Sequence, residues 1–202
     1  MNKPTDIKKT LVDVNDSVLV VIDIQDSFLS KYDNAITQSM VGKVAWILQI
    51  ACLLDVPIVA MAEDINHEGN LTQAIRDALP ADTTIYSKDC FNLTDNPDIL
   101  AAVEATGRKT AILVGMETDV CVAQSALGLM ERDFQVLALK DGMATTAGDE
   151  DIGLSRMHGG GVVISSVKAV YYEWLRSVTN CDKLRKKTAN SKTPKQPRSL
   201  LL

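Results

Sequence analysis

Short apolar runs separated by longer stretches of helical period set the pattern of this chain. Runs over 18–22, 57–61, 84–86, 110–114, 135–139 and 162–165 have the length and Val/Ile/Leu content of buried strands. Between them, Val41, Val44, Ala45, Leu48 and Ala51 recur at i, i+3, i+4, i+7 and i+10, and Val167, Val170, Tyr171 and Trp174 repeat such a stripe near the end. A third helix carries its own punctuation: Asn96 caps it, Pro97 opens it, Ile99, Ala102 and Val103 face inward, and Gly107 closes it. Strands alternating with helices predict an α/β fold, a three-layer doubly wound sheet of about six mainly parallel strands with helices on both faces. Ligands of such sheets bind beyond the carboxyl ends of the strands, near the point where strand order reverses, so residues just after strands deserve the first look.

Composition agrees with that architecture. The chain of 202 residues is 46% hydrophobic but only 4% aromatic, so its core is built from Ala, Val, Ile and Leu, as in helix-covered parallel sheets. No uninterrupted apolar run approaches the ~20 residues of a membrane span, which predicts a soluble protein. The amino-terminal segment MNKPTDIKKTLVDVNDSV mixes Lys with Asp and lacks an apolar core, so no signal peptide is expected. The cytosol is the expected compartment, with organelle import left open.

Charge divides the chain. Residues 183–202 hold seven of the 21 Lys and Arg and no Asp or Glu, leaving residues 1–182 with 14 basic against 26 acidic groups. Such a body repels a phosphate backbone, and any attraction to nucleic acid would come from the tail. The expected organisation is one domain over 1–182 followed by a basic, flexible tail over 183–202. Cys52, Cys90, Cys121 and Cys181 are widely spaced, without a C-x-x-C pair, which argues against a zinc site or a disulfide scaffold and for a reducing compartment.

Three residues at predicted strand ends could carry chemistry. Asp23 follows the first run in VVIDIQDSF, Lys88 follows the third in IYSKDCF, and Cys121 follows the fourth in AILVGMETDVCVAQSALGLM. Each has a structural alternative: a turn cap for Asp23, a solvated surface lysine for Lys88, a buried packing thiol for Cys121. Thr118 is a candidate N-cap that would place Cys121 in a helical first turn, where free backbone N–H groups favour a thiolate. Together the three could work as a unit, Asp23 taking the thiol proton and Lys88 lowering the thiol pKa. The two histidines, His67 and His158, lie in loop-like segments. The glycines at 159–161 precede a strand rather than follow one, so no nucleotide cradle is expected.

The segments DIQDSF, KDCF and GMETDVCV resemble, in this order and spacing, the three signatures of the isochorismatase-like cysteine hydrolase superfamily, over about residues 10–180. The chain is most similar to nicotinamidase-related amidases of unassigned substrate, and SRMHGGGVVISSVKAVYYEW fits their last helix-strand-helix unit. The resemblance implies a catalytic triad of Asp23, Lys88 and Cys121. It also implies a cis peptide at Met116–Glu117 that turns the backbone N–H groups of Glu117 and Cys121 toward an oxyanion. The chemistry implied is acyl transfer, with Cys121 attacking an amide-like carbonyl, an amine leaving, and water hydrolysing the thioester. Family nicotinamidases carry a D-x-H metal motif after the second strand. Here MAEDINHEGN, with Glu63, Asp64 and His67, departs from it, so no metal or other cofactor is expected and nicotinamide is disfavoured. Isochorismate cleavage is disfavoured too, since true isochorismatases lack the cysteine.

Phe28, Glu63 and Phe91 are candidate walls of the substrate pocket, although aromatics beside a loop also serve as core and Glu63 could simply cap its loop. The expected partners are a small-molecule substrate and further copies of the chain, because relatives commonly form oligomers. The reading from a second class is a binding or RNA-associated protein that uses the basic tail.

Overall fold

A computed structural model describes residues 11–145, 149–188 and 196–200. The extreme amino terminus and most of the tail beyond residue 188 lie outside the described residues. Six parallel strands form one sheet: β1 (Ser17–Ile22), β2 (Ile58–Glu63), β3 (Ile85–Lys88), β4 (Thr110–Met116), β5 (Gln135–Ala144) and β6 (Val163–Ser165), in the order β3-β2-β1-β4-β5-β6. The helices are α1 (Asp26–Leu29), α2 (Asn34–Leu53), α3 (Ile65–Glu68), α4 (Gln73–Arg76), α5 (Pro97–Ala105), α6 (Ala123–Met130), α7 (Glu150–Gly159), α8 (Val167–Leu175) and α9 (Val178–Thr188). Each predicted strand is present. Several run further toward their carboxyl ends than the apolar runs do, because polar residues there still pair in register, as Glu63 does with Lys88.

Strand alternation builds two cores. Leu19 and Val21 point into a layer with Val44, Ile47, Val170 and Trp174, whereas Val18, Val20 and Ile22 point into one with Ile99, Val103, Ala126 and Leu129. Parallel sheets covered on both faces need such unbroken apolar strands, and all six residues of β1 are buried. Its one hydroxyl is satisfied: Ser17 donates to the Asp13 carbonyl at 2.7 Å and accepts from the Trp174 indole at 3.1 Å.

The third helix has the punctuation its sequence predicts. Asn96 accepts from the Asp98 and Ile99 amides, Pro97 opens the first turn, and Gly107 takes a φ of 68° just past the end. The stripe on α2 needs revision, since Val41 and Ala45 are only half-buried while Trp46, Ile47 and Ile50 are buried. That helix packs against β5, α4 and α8 together, so its apolar arc is wider than a single seam. It is also long and apolar enough to cross a bilayer by length and composition, which a search for uninterrupted apolar runs overlooks. Its Val44, Ile47, Leu48 and Ala51 lie in the core, the ordinary fate of an apolar helix in an α/β protein.

The boundary expected between residues 182 and 183 falls inside α9. Cys181 and Leu184 lie one turn apart and are both buried in the core, so the helix is docked on the body through its middle. Arg185, Lys186 and Lys187 occupy its last turn, where the negative end of the helix dipole favours cations, and Arg185 pairs with Asp182 at 3.4 Å.

Candidate active site

Strand order reverses between β1 and β4, and the residues singled out in the sequence meet at that crevice. Gly115 sets the approach of the two strands. It pairs with Ile22 at φ +145°, and a Cβ there would lie 2.0 Å from the Ile22 carbonyl oxygen, so only glycine fits. One residue past β1, Asp23 adopts a left-handed backbone with φ 52°, a conformation aspartate tolerates better than most residues, and turns the chain off the sheet. Lys88 ends β3 beside Glu63, which ends β2. Beyond β4 the Met116–Glu117 peptide is cis, as the resemblance implies.

Four side chains converge. Lys88 Nζ lies 2.7 Å from Asp23 Oδ2, and both side chains are closed to solvent. The same nitrogen is 3.5 Å from Cys121 Sγ and 3.5 Å from Glu63 Oε2, and it also donates to the Cys90 carbonyl at 3.1 Å. Cys121 Sγ lies 3.4 Å from Glu63 Oε2. The surface-lysine and loop-cap alternatives for Lys88 and Glu63 are thereby excluded: both point inward. Donor atoms of Asp23, Glu63 and Cys121 stand within 4.8 Å of one another, a spacing that could hold a metal ion. Lys88 Nζ sits within 3.5 Å of all three.

The electrostatics differ from the sequence expectation at the thiol. Burial pushes Cys121 well above the usual thiol range, the Asp23 carboxylate pushes it further, and Lys88 opposes both without prevailing. The resting group is therefore a thiol facing a carboxylate rather than a thiolate. Helix-end stabilisation of about 0.3–1 kcal/mol is less than one pKa unit and cannot reverse this. Nor is Thr118 an N-cap. It lies inside a π-turn spanning Thr118–Val122 that leads into α6, preceded by Glu117, and it is fully buried. Burial likewise raises Asp23, to about 6, despite the opposing pull of Lys88. For Lys88 burial works downward, but Asp23, Cys121 and Glu63 outweigh it and hold the ammonium above its ordinary value.

The remaining candidates scatter. Phe28 is packed in the core layer beneath the Lys31 ammonium, 4.4 Å from its ring centroid, and Phe91 is 52% exposed. Phe91 meets the site's neighbourhood through its backbone, its carbonyl accepting from Ser125. His67 pairs with Asp64 at 3.0 Å on the surface, and His158 is exposed on α7. Two sets of residues escaped sequence reasoning. Gln25, fully buried, clamps the backbone of Glu63: it accepts from the Glu63 amide and donates to the Glu63 carbonyl, both at 2.8 Å. The Glu117 side chain accepts from Tyr32 Oη at 2.6 Å beside a bond from Thr145 to Asp119. Gln25 was visible as part of the DIQDSF segment, two places after Asp23; the second group left no local signal.

A groove of about 770 Å³ opens at the amino ends of β2 and β3, lined by Cys52, Pro57, Thr84 and Arg108, and contains none of the four converging side chains.

Comparison with known proteins converges on one family. The isochorismatase domain matches residues 17–168. Probable hydrolase YcaC of Escherichia coli is 29% identical over 66% of this chain and 65% of its own length, so the chain spans just under two thirds of that relative. Isochorismatase family protein 1A of Dictyostelium discoideum is 27% identical over 79% of this chain and 78% of its own. Among solved structures, YcaC from Pseudomonas aeruginosa, determined with hexane-2,5-diol and covalent acrylamide, superposes with a TM-score of 0.78 at 27% identity over 85% of this chain and 86% of its own. The E. coli YcaC structure, described as an octameric hydrolase of unknown specificity, gives 0.80 at 24% over 91% of each chain. A domain match covering most of the chain, on a six-stranded parallel sheet of this topology, means that the chain belongs to the isochorismatase domain family.

Proposed function

We propose that this hydrolase is a metal-independent cysteine amidase, cleaving a small amide, carbamoyl or related C–N substrate through a thioester on Cys121. The observation that carries the reading is the buried contact set in which one thiol, one carboxylate and one ammonium meet at the carboxyl edge of the sheet. Asp23 accepts the Cys121 proton as sulfur bonds to the carbonyl carbon and the carbonyl electron pair moves onto oxygen. Lys88 offsets the charge, and the backbone N–H groups of Glu117 and Cys121 are assigned to the oxyanion. Collapse breaks the C–N bond while Asp23 returns the proton to the leaving nitrogen. Water then adds to the thioester, giving its proton to Asp23, and the C–S bond breaks to restore the thiol. A thiol held protonated at rest suits this sequence, because Asp23 removes the proton only as substrate fills the pocket.

The test is ammonia release from a panel of primary carboxamides and ureido compounds by the full chain, before and after treatment with a chelator. Turnover that survives the chelator is the expected result; turnover that requires added metal, or none on any member, would reject the reading.

Self-association is the second part of the proposal. Octameric YcaC is one precedent. The other support is a set of apolar side chains left uncovered near the β6 edge: Val163 on that strand, Ile152 on α7 and Ile36 on α2 are all exposed. Light scattering coupled to size exclusion is expected to give a mass of at least twice 22.0 kDa. A monomer across micromolar concentrations would refute it.

A further inference from the structure

Glu63 is the member of the cluster that the thioester scheme does not use. It is also placed differently from its neighbours. Asp23 and Lys88 are sealed from solvent, whereas the Glu63 side chain is 23% exposed, so of the three charged groups it is the one open to an incoming molecule. Two carboxylates share one ammonium there, and Lys88 gives its short contact of 2.7 Å to Asp23 and only a 3.5 Å contact to Glu63. Glu63 is therefore left with acceptor capacity beside the reacting atom.

Its position is enforced rather than incidental. Gln25 clamps the Glu63 peptide at both its N–H and its carbonyl, and the same amide nitrogen donates to the Gly69 carbonyl at 2.6 Å, tying the loop after β2 to the segment that carries Asp23. A buried side-chain amide that spends two hydrogen bonds on a strand end and a third on the loop after it fixes where that strand's last carboxylate stands.

We propose that Glu63, held by Gln25, accepts an N–H from the substrate's scissile nitrogen, so that the pocket takes primary carboxamides and ureido compounds and disfavours N,N-disubstituted amides. This deepens the amidase reading and rests on it. With a carbonyl carbon at Cys121 Sγ, the attached nitrogen falls one bond further on, within hydrogen-bond reach of an oxygen that stands 3.4 Å from that sulfur. Asp23 supplies the proton that the leaving nitrogen gains, and Glu63 accepts from an N–H that nitrogen already carries. A dialkylated nitrogen offers no such proton and sets apolar groups against a carboxylate. The hydrogen bond is charge-assisted and partly exposed, which corresponds to roughly 10- to 100-fold in rate.

The experiment uses 4-nitrophenyl carbamate and 4-nitrophenyl N,N-dimethylcarbamate as probes. In each, sulfur bonds to the carbonyl carbon that carries the nitrogen, the C–O bond to 4-nitrophenolate breaks, and the thiol proton passes to Asp23. The rate of adduct formation at Cys121, followed by peptide-mapped mass spectrometry, is divided by the rate with free cysteine for each probe. The wild-type chain is expected to favour the unsubstituted carbamate at least tenfold beyond free cysteine, and Glu63→Ala to lose that preference. Glu63→Gln, which keeps the side-chain volume and a neutral acceptor, falls between. Gln25 is a positioning residue, so Gln25→Ala lowers the same ratio with an unchanged far-UV spectrum. An equal ratio in wild type and Glu63→Ala, no preference in wild type, or no adduct at Cys121 with either probe would overturn the assignment. If the preference holds but no amide is hydrolysed, the amidase reading alone fails; if amides are hydrolysed equally well by Glu63→Ala, only the role of Glu63 fails.

Discussion

Cys121→Ala and Cys121→Ser are expected to lower amide turnover by roughly 10⁴-fold or more while leaving the fold intact. The thioester route has no other sulfur to use: Cys90 meets the site through its carbonyl, Cys52 is on the surface, and Cys181 is buried on α9 at the far side of the molecule's helical layers. Alanine removes the nucleophile outright. Serine keeps its size and leaves Glu63 and Asp23 as acceptors for the hydroxyl, but a hydroxyl is a far weaker nucleophile than a thiol beside the same base. Neither change opens a large cavity, so unfolding free energies from urea titration should stay within about 1 kcal/mol of wild type. Turnover retained in either variant, measured as ammonia release, would remove Cys121 from the mechanism.

Removing Lys88 has the second large effect, on stability as well as rate. Lys88→Met takes away the ammonium 2.7 Å from a fully buried Asp23 and leaves that carboxylate without its partner. Breaking a buried pair from one side costs about 3–5 kcal/mol, because the orphaned charge must be protonated or stay buried unpaired. Lys88→Met combined with Asp23→Asn should recover most of that loss, since no charge is then stranded, yet remain inactive. Urea unfolding of the two single variants and the double variant measures the recovery. The acid limb of kcat/KM reports the same pair. Asp23 acts as a base only when ionised, and its carboxyl is raised to about 6, so the rate falls as pH drops through that value. Lys88 lowers the Asp23 pKa, so any residual activity of Lys88→Met should show its acid limb at higher pH. A double variant as unstable as Lys88→Met would mean that the ammonium stabilises the fold by something other than its charge.

Much of this could be read along the chain because the information was local. Every strand was found, since a fully buried parallel strand is an apolar run wherever it occurs. Asp23, Lys88 and Cys121 stood out because each follows such a run. What was missed depended on register or on burial, which no local window contains. Glu63 stands out in the sequence as a candidate pocket wall, but its contact with the sulfur follows from the β2–β3 register that sets it beside Lys88, and the Gln25 clamp spans 38 residues. The protonated thiol is a tertiary property as well: a helix end near a cysteine suggests a thiolate, but burial and a carboxylate at contact distance outweigh it. The tail was divided from the body too early because α9 is polar by composition. Its two anchoring positions, Cys181 and Leu184, are too few to produce a visible stripe.

The central claim is a covalent acyl group on Cys121. Its most direct test is rapid quenching of the full chain mixed with a hydrolysed member of the amide panel, followed by intact mass and peptide mapping. The account predicts a transient mass increase equal to the acyl group, confined to the peptide bearing Cys121, formed before the acid product and absent in Cys121→Ser. Turnover with no adduct at any quench time, together with retained turnover in Cys121→Ser, would contradict it.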